Sequence, residues 1–183
     1  MLATLVASPV FAAGTASDSA TDTGAQAVAT CNKAAGKELS DSRKSTGTEY
    51  STSVKSSTTA YNTAAKAARD AYKASVSSTQ ATYKAAVKSA QDAYKTAAAA
   101  AKAAKSSADL KTASQARAAA LKAASDARKA ALKTAMQTRD AALKAAGVTR
   151  KDANKSALDK KNTDTKSETS TYVEARKACV PAK

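Results

Sequence analysis

The residues with the clearest chemical capacity in this chain are its two cysteines. Cys31 and Cys179 belong to a sequence of 183 residues that contains no histidine. A catalytic cysteine needs a base that removes its proton, and histidine is the usual one. We therefore expect a disulfide between these cysteines within one chain, with a bond between chains or two free thiols as the alternatives.

No other combination of residues in the sequence indicates catalysis. The sequence contains no glycine-rich phosphate loop, no pair of carboxylates within an apolar segment and no cluster with metal-ligand spacing. We expect a protein that is not an enzyme and that binds no cofactor, metal or small-molecule substrate.

An eleven-residue period runs through most of the chain. Eleven residues come within about 20° of three full helical turns, so residues at this spacing form one narrow stripe along a helix. The pattern predicts a coiled coil with a slight right-handed supercoil and the following core stripe in two registers: Val28, Leu39, Tyr50, Tyr61, Tyr72, Tyr83 and Tyr94, then Leu110, Leu121, Leu132 and Leu143.

The composition supports long helices. Alanine accounts for 51 residues, no proline lies between Pro9 and Pro181, and no glycine lies between Gly47 and Gly147. Glycine and proline cost about 1 and 3 kcal/mol in a helix interior, whereas alanine is the best helix former. Because the chain has no tryptophan and one phenylalanine, we expect packing through alanine rather than a conventional globular core.

The two registers meet at a change of phase. Tyr94 and Leu110 are sixteen residues apart, so one unbroken helix would turn the two rows onto different faces. The midpoint between the cysteines is residue 105, and Ser106 with Asp109 has the pattern of a helix capping box. A turn near residues 104–108 therefore separates two helices.

We predict an all-α fold, a long antiparallel two-helix hairpin. Helix 1 covers about 25–104 and helix 2 about 107–179, so that the hairpin spans 25–179 and leaves a tail at 180–183. Residues whose numbers sum to about 210 lie level, which places each leucine between two tyrosines and brings the cysteines together. Beyond Leu143 we expect an irregularity at Gly147 and a shift of the leucine row to Leu158 and Tyr172.

The N-terminal segment indicates export. Residues 1–12 are apolar and uncharged, and Val10-Phe11-Ala12 fits the small-x-small rule for signal-peptide cleavage. Because a basic segment is absent, we expect that the true start of this leader lies upstream or is wrongly assigned; the alternative is a disordered, mildly apolar N-terminus without a signal function. Residues 13–24 are rich in Ser, Thr, Asp and Gly, which predicts a flexible tether. We expect the mature protein to be secreted, at the cell surface or in the periplasm, where a disulfide is stable.

Lysine follows the core stripe in seven repeats. The favoured interpretation is that its stem covers the apolar stripe and keeps the helix soluble; the alternative is that its ammonium group contacts a polyanion. The net charge of +15 favours anionic cell-wall polymers, lipid headgroups or nucleic acid as partners. The candidate contact residues are Lys73, Lys84, Lys95, Lys111, Lys122, Lys133 and Lys144.

The tyrosines allow two interpretations. They can form buried layers, or they can be stacking platforms for bases or sugars. Their constant helical phase favours core packing, because a stacking site for a polymer does not require it.

The leading functional hypothesis is an exported structural or interaction protein of the cell envelope or surface, a stiff helical rod that acts as spacer, coat or filament subunit and associates with itself.

Two resemblances to known families supply alternative functions. The Ala/Lys repeats are similar in composition to the tails of linker-histone-like bacterial proteins, which implies nucleic-acid binding. The Ala-rich eleven-residue repeats are also similar to helical antifreeze proteins, in which threonine recurs. In this chain the corresponding position lies two residues after the core stripe. It holds threonine in some repeats and alanine in others: Thr52, Thr63, Thr96, Thr112 and Thr134, and Ala74, Ala85, Ala123 and Ala145.

Overall fold

The computed structural model describes residues 22–180 and contains two helices in this range, α1 (Asp22–Ala103) and α2 (Ser107–Ala178). They pack against each other as an antiparallel hairpin, which confirms the predicted all-α fold. The predicted leader, most of the tether and the last three residues of the tail lie outside the described residues. Residues 22–24, which we assigned to the tether, belong to the first turn of α1.

The turn between the helices is short and closed by backbone hydrogen bonds. The Ser106 amide donates to the Ala101 carbonyl at 2.9 Å and the Lys105 amide donates to the Lys102 carbonyl at 3.1 Å. These two bonds form a Schellman motif, which ends a helix with one residue in the left-handed region. Lys105 is that residue, with φ of 52°. Glycine usually takes this place, because a Cβ atom is disfavoured there.

Ser106 begins α2 as its N-cap. Its hydroxyl accepts a hydrogen bond from the Asp109 amide at 3.2 Å. The reciprocal bond of a capping box is not formed, because the Ser106 amide is already bonded to Ala101. The cap is therefore one-sided, contrary to the pattern suggested by the sequence.

The residues fall into two compact units. The larger unit is Gly47–Asn162, which contains the turn; the smaller one is formed, within the described range, by residues 22–46 and 163–180. In the smaller unit the Cys31–Cys179 disulfide joins α1 to α2 with the two Cα atoms 5.7 Å apart. Closing a loop of 148 residues contributes on the order of 4 to 5 kcal/mol in the chain-entropy model.

Alanine occupies the most buried positions between the helices. The buried apolar residues of the described range are Cys179 and six alanines: Ala35, Ala65, Ala90, Ala98, Ala101 and Ala113. All eleven residues of the predicted core stripe are half-buried instead. Two helices alone cannot enclose a large side chain, so tyrosine and leucine cover the edges of an alanine layer.

Two irregularities expected in α2 are absent. The helix continues through Gly147, and Leu158 is 43% exposed. The eleven-residue register instead continues from Leu143 to Asn154, so a polar residue replaces leucine in the row. The prediction that the row shifts to Leu158 was wrong because it followed residue type rather than phase, whereas Tyr172 is half-buried.

The strained turn provides a test of the fold. Replacing Lys105→Gly removes the Cβ atom from a left-handed residue and should raise the free energy of unfolding by about 1 kcal/mol. Lys102→Gly, three residues earlier within α1, should lower it by about 1 kcal/mol. Urea denaturation followed by circular dichroism measures both, and a loss of stability in the first variant would contradict the assigned turn.

Candidate interaction surface

A row of stacked cations lines the seam between the helices in the larger unit. Each of five side chains from α2 lies over a tyrosine ring from α1, with the cation 4.4 to 5.0 Å from the ring centroid. The pairs are Arg117 with Tyr94, Arg128 with Tyr83, Arg139 with Tyr72, Arg150 with Tyr61 and Lys161 with Tyr50.

These five pairs define the register. In every pair the residue numbers sum to 211, so the cations recur at the same eleven-residue period as the tyrosines. Cation–π contacts contribute about 0.5 to 1 kcal/mol each at exposed sites. This row was not predicted from the sequence, because the predicted stripe included only apolar residues; the arginines nevertheless follow the four leucines by seven residues throughout.

The leucines occupy the levels between the stacked pairs. Leu121 lies level with Ala90 and Leu110 with Ala101, and these two alanines are buried, with 8% and 4% exposure. A large side chain on α2 therefore meets a small one on α1, which keeps the helices close. The repeat in α2 is leucine, alanine three residues later and arginine four residues after that.

Polar side chains replace this pattern at two levels. In the larger unit, Asn154 takes the place of a leucine, and the Ser57 hydroxyl donates to Asn154 Oδ1 at 2.5 Å. In the smaller unit, Glu168 takes the place of an alanine, and its Oε1 atom accepts hydrogen bonds from Ser42, at 2.8 Å, and from the buried Thr46. Its Oε2 atom is buried and accepts no hydrogen bond.

The predicted contact lysines lie on one side of the seam in the larger unit. All seven are exposed. Each follows its stripe residue by one position, which turns it about 100° around the helix. Because the helices are antiparallel, the same rotation brings both rows to the same side. We call this side the lysine face and define it by Lys73, Lys84, Lys95, Lys111, Lys122, Lys133 and Lys144.

The opposite side of the larger unit is an open groove with small side chains. Tyr61, Tyr72, Arg139 and Arg150 lie along its floor. Its walls, which we call the small-residue walls, contain no residue larger than threonine: Ala60, Ala64, Ala67, Ala71, Ser75 and Ser78 from α1, and Ala131, Thr134, Thr138, Ala142, Thr149 and Ala153 from α2. Thr52 and Thr134 of the threonine row noted in the sequence line this groove, and all five threonines of that row are exposed.

Local ion pairs neutralise only part of the basic charge. Lys66 donates to Asp70 at 2.6 Å, and that hydrogen bond, followed by the charges of Lys66 and Lys73, lowers the pKa of the Asp70 carboxyl from 3.8. Lys88 with Asp92 and Lys122 with Asp126 repeat the arrangement. Of the lysine face, Lys122 alone makes an ion pair within residues 22–180.

The net charge is concentrated in one unit. Gly47–Asn162 contains 22 basic and eight acidic residues, a net charge of +14. The described part of the smaller unit contains seven basic and six acidic residues, a net charge of +1. The electrostatic attraction for a polyanion therefore belongs to the larger unit.

Comparison with models of known protein families, with curated proteins and with solved structures finds no match to this chain. Between residues 22 and 180, neither helix has a stretch long and apolar enough to cross a membrane. The same range contains no group of three or more residues that could hold a metal ion.

The stacked pairs can be tested by a double-mutant cycle. Combining Arg128→Gln with Tyr83→Leu should reveal a coupling free energy of about 0.5 to 1 kcal/mol in urea denaturation, because each single change removes the same contact. Arg69→Gln with Tyr83→Leu is the control, because Arg69 stacks on no aromatic ring of residues 22–180. Equal coupling in the two cycles would show that the stacking has no specific role in stability.

Proposed function

We propose that this chain is a non-enzymatic, exported structural protein of the cell envelope or surface, a stiff helical spacer, coat or filament subunit. The observation that carries the proposal is the disulfide between helices whose seam is mostly alanine. A disulfide of this kind is typical of an oxidising compartment, and it stabilises a pair of helices that buries few large side chains. The described residues offer a long repetitive surface rather than an enclosed site.

Export and the thiol state are tested together on the protein from its native source. We expect a chain recovered outside the cytoplasm, cleaved before Ala13, in which a single disulfide links the peptides containing Cys31 and Cys179. Mass mapping without reduction reads all three properties. An uncleaved cytosolic chain with alkylatable thiols would contradict the proposal.

Self-association is part of the proposed role. The small-residue walls let a second copy approach closely and carry no charge themselves, while the guanidinium groups of Arg139 and Arg150 on the floor of the groove already stack on tyrosine rings. The copies would then leave their lysine faces exposed.

Sedimentation velocity over a range of concentrations tests this association. Ala71→Lys places a bulky cation in the wall and should weaken association at least about tenfold, since burying an unpaired charge is costly. Ser77→Lys is the matched control, because it adds the same charge beside Lys73 and Lys84, outside the groove. Concentration-independent monomer for the unmodified chain, or equal effects of the two variants, would refute the association.

Nucleic-acid binding is the second candidate, favoured by the +14 charge of Gly47–Asn162. This function requires that the protein is located in the cytoplasm and stays bound to DNA at physiological salt concentration. The location measured by mass mapping therefore separates the two candidates before any binding assay.

A further inference from the structure

The two lysine rows of the larger unit interdigitate. Because paired residues sum to 211, Lys133 lies at the level of residue 78, between Lys73 and Lys84, and Lys122 lies at the level of residue 89, between Lys84 and Lys95. The rows therefore alternate along the seam in the order Lys73, Lys133, Lys84, Lys122, Lys95 and Lys111. We call these six residues the lysine ladder.

The ladder has a regular step. Successive lysines are five or six residues apart along the helix axis, which corresponds to about 8 Å per step and about 40 Å in all. Alternate steps come from opposite helices, so a chain that runs between the rows meets an ammonium group from one side and then from the other.

The ladder is available for a partner. All six side chains are exposed, and within residues 22–180 only Lys122 makes an ion pair, with its side chain 79% exposed. The common face and the constant step follow from the eleven-residue repeat, and they offer a partner a regular row of positive charges. On the opposite side of the larger unit, the small-residue walls contain alanine, serine and threonine and no lysine.

We propose that the lysine ladder binds a flexible phosphodiester polymer of the cell surface, aligned along the seam. This inference rests on the proposed function, which locates the protein outside the cytoplasm. A phosphodiester polymer with six backbone bonds per repeat carries one permanent negative charge every 7 Å or so when extended, judging from the reach of extended backbone bonds. That spacing is close to the step of the ladder, so successive phosphates can meet successive ammonium groups.

Two other polyanionic surfaces fit the ladder less well. Duplex DNA winds one turn in about 34 to 36 Å, so its phosphate backbone turns away from a straight row of about the same length. A lipid surface requires apolar side chains that insert beside the lysines. The exposed large apolar residues of this part of α2, Met136, Val148 and Leu158, are ten or twelve residues apart and form no continuous patch.

A charge-preserving rearrangement tests the ladder. Each of the six lysines is followed by alanine or threonine, so exchanging the two neighbours moves the ammonium group about 100° around the helix while composition and net charge stay the same. The exchanges include Lys84→Ala with Ala85→Lys, and Lys133→Thr with Thr134→Lys. The six exchanges together form the rearranged variant, and the six lysines changed to glutamine form the neutralised variant.

Binding of the oxidised full chain to synthetic poly(glycerol phosphate) is measured by fluorescence titration across a salt series. Six neutralised phosphates predict a slope of log K against log salt near −4, because each contributes about −0.7 on a single-stranded polyanion. We expect the rearranged variant to bind at least about tenfold more weakly with a shallower slope, although its net charge is unchanged, and the neutralised variant to bind more weakly still. Circular dichroism and the Cys31–Cys179 bond verify that both variants fold.

Three outcomes would overturn the proposal. The first is equal binding by the rearranged variant and the unmodified chain, which would leave net charge as the only determinant. The second is preferential binding of a short DNA duplex or of phosphatidylglycerol vesicles in competition with the polymer. The third is the absence of binding to the polymer at low salt. A cytosolic location would instead refute the proposed function, whatever the titration shows.

Discussion

The close approach of two alanine-rich helix surfaces is the constraint on which the other features depend. At the disulfide the Cα atoms of Cys31 and Cys179 are only 5.7 Å apart. Eleven residues closer to the turn, the same repeat position is occupied by Ser42 on α1 and Glu168 on α2. In every later repeat up to the turn it is occupied by alanine or serine on both helices. Larger residues on both helices at this position would force them apart and separate each arginine from its tyrosine ring.

This constraint also determines where the charge lies. Small residues occupy the seam and one flank of each helix, so the lysines lie on the other flank. The arginines of α2 extend across the seam and contact the tyrosine rings of α1. The eleven-residue period keeps these assignments constant from repeat to repeat. The proposed partner surfaces are therefore consequences of the repeat rather than separate additions to it.

The sequence predicted the architecture well because its phase is strict. The constant spacing of tyrosines and leucines, the interval from Tyr94 to Leu110 and the symmetric cysteines together indicated an antiparallel hairpin, and the structure confirms it. The prediction failed where a polar residue replaces an apolar one while the eleven-residue spacing stays the same. Asn154 lies in the leucine row and is hydrogen-bonded to Ser57, whereas the predicted row continued to the apolar Leu158, which faces solvent.

Other features required coordinates. The left-handed conformation of Lys105 was not foreseeable, since lysine rarely takes that place in a Schellman motif. The arginine row is visible in the sequence, but which tyrosine ring each arginine covers depends on the register of the antiparallel helices. The polar level of Glu168, Ser42 and Thr46 likewise depends on which residues the antiparallel pairing brings together.

The most direct test of the repeating seam is disulfide trapping at a second level of the repeat. Ser75 and Ala135 both line the groove, and they occupy the repeat position that Cys31 and Cys179 occupy in the smaller unit. With both native cysteines replaced by alanine, Ser75→Cys with Ala135→Cys should oxidise rapidly to a bond within one chain. Ser75→Cys with Ala124→Cys, displaced by one repeat, should not. Equal oxidation of the two pairs, or bonds formed only between chains, would contradict the register described.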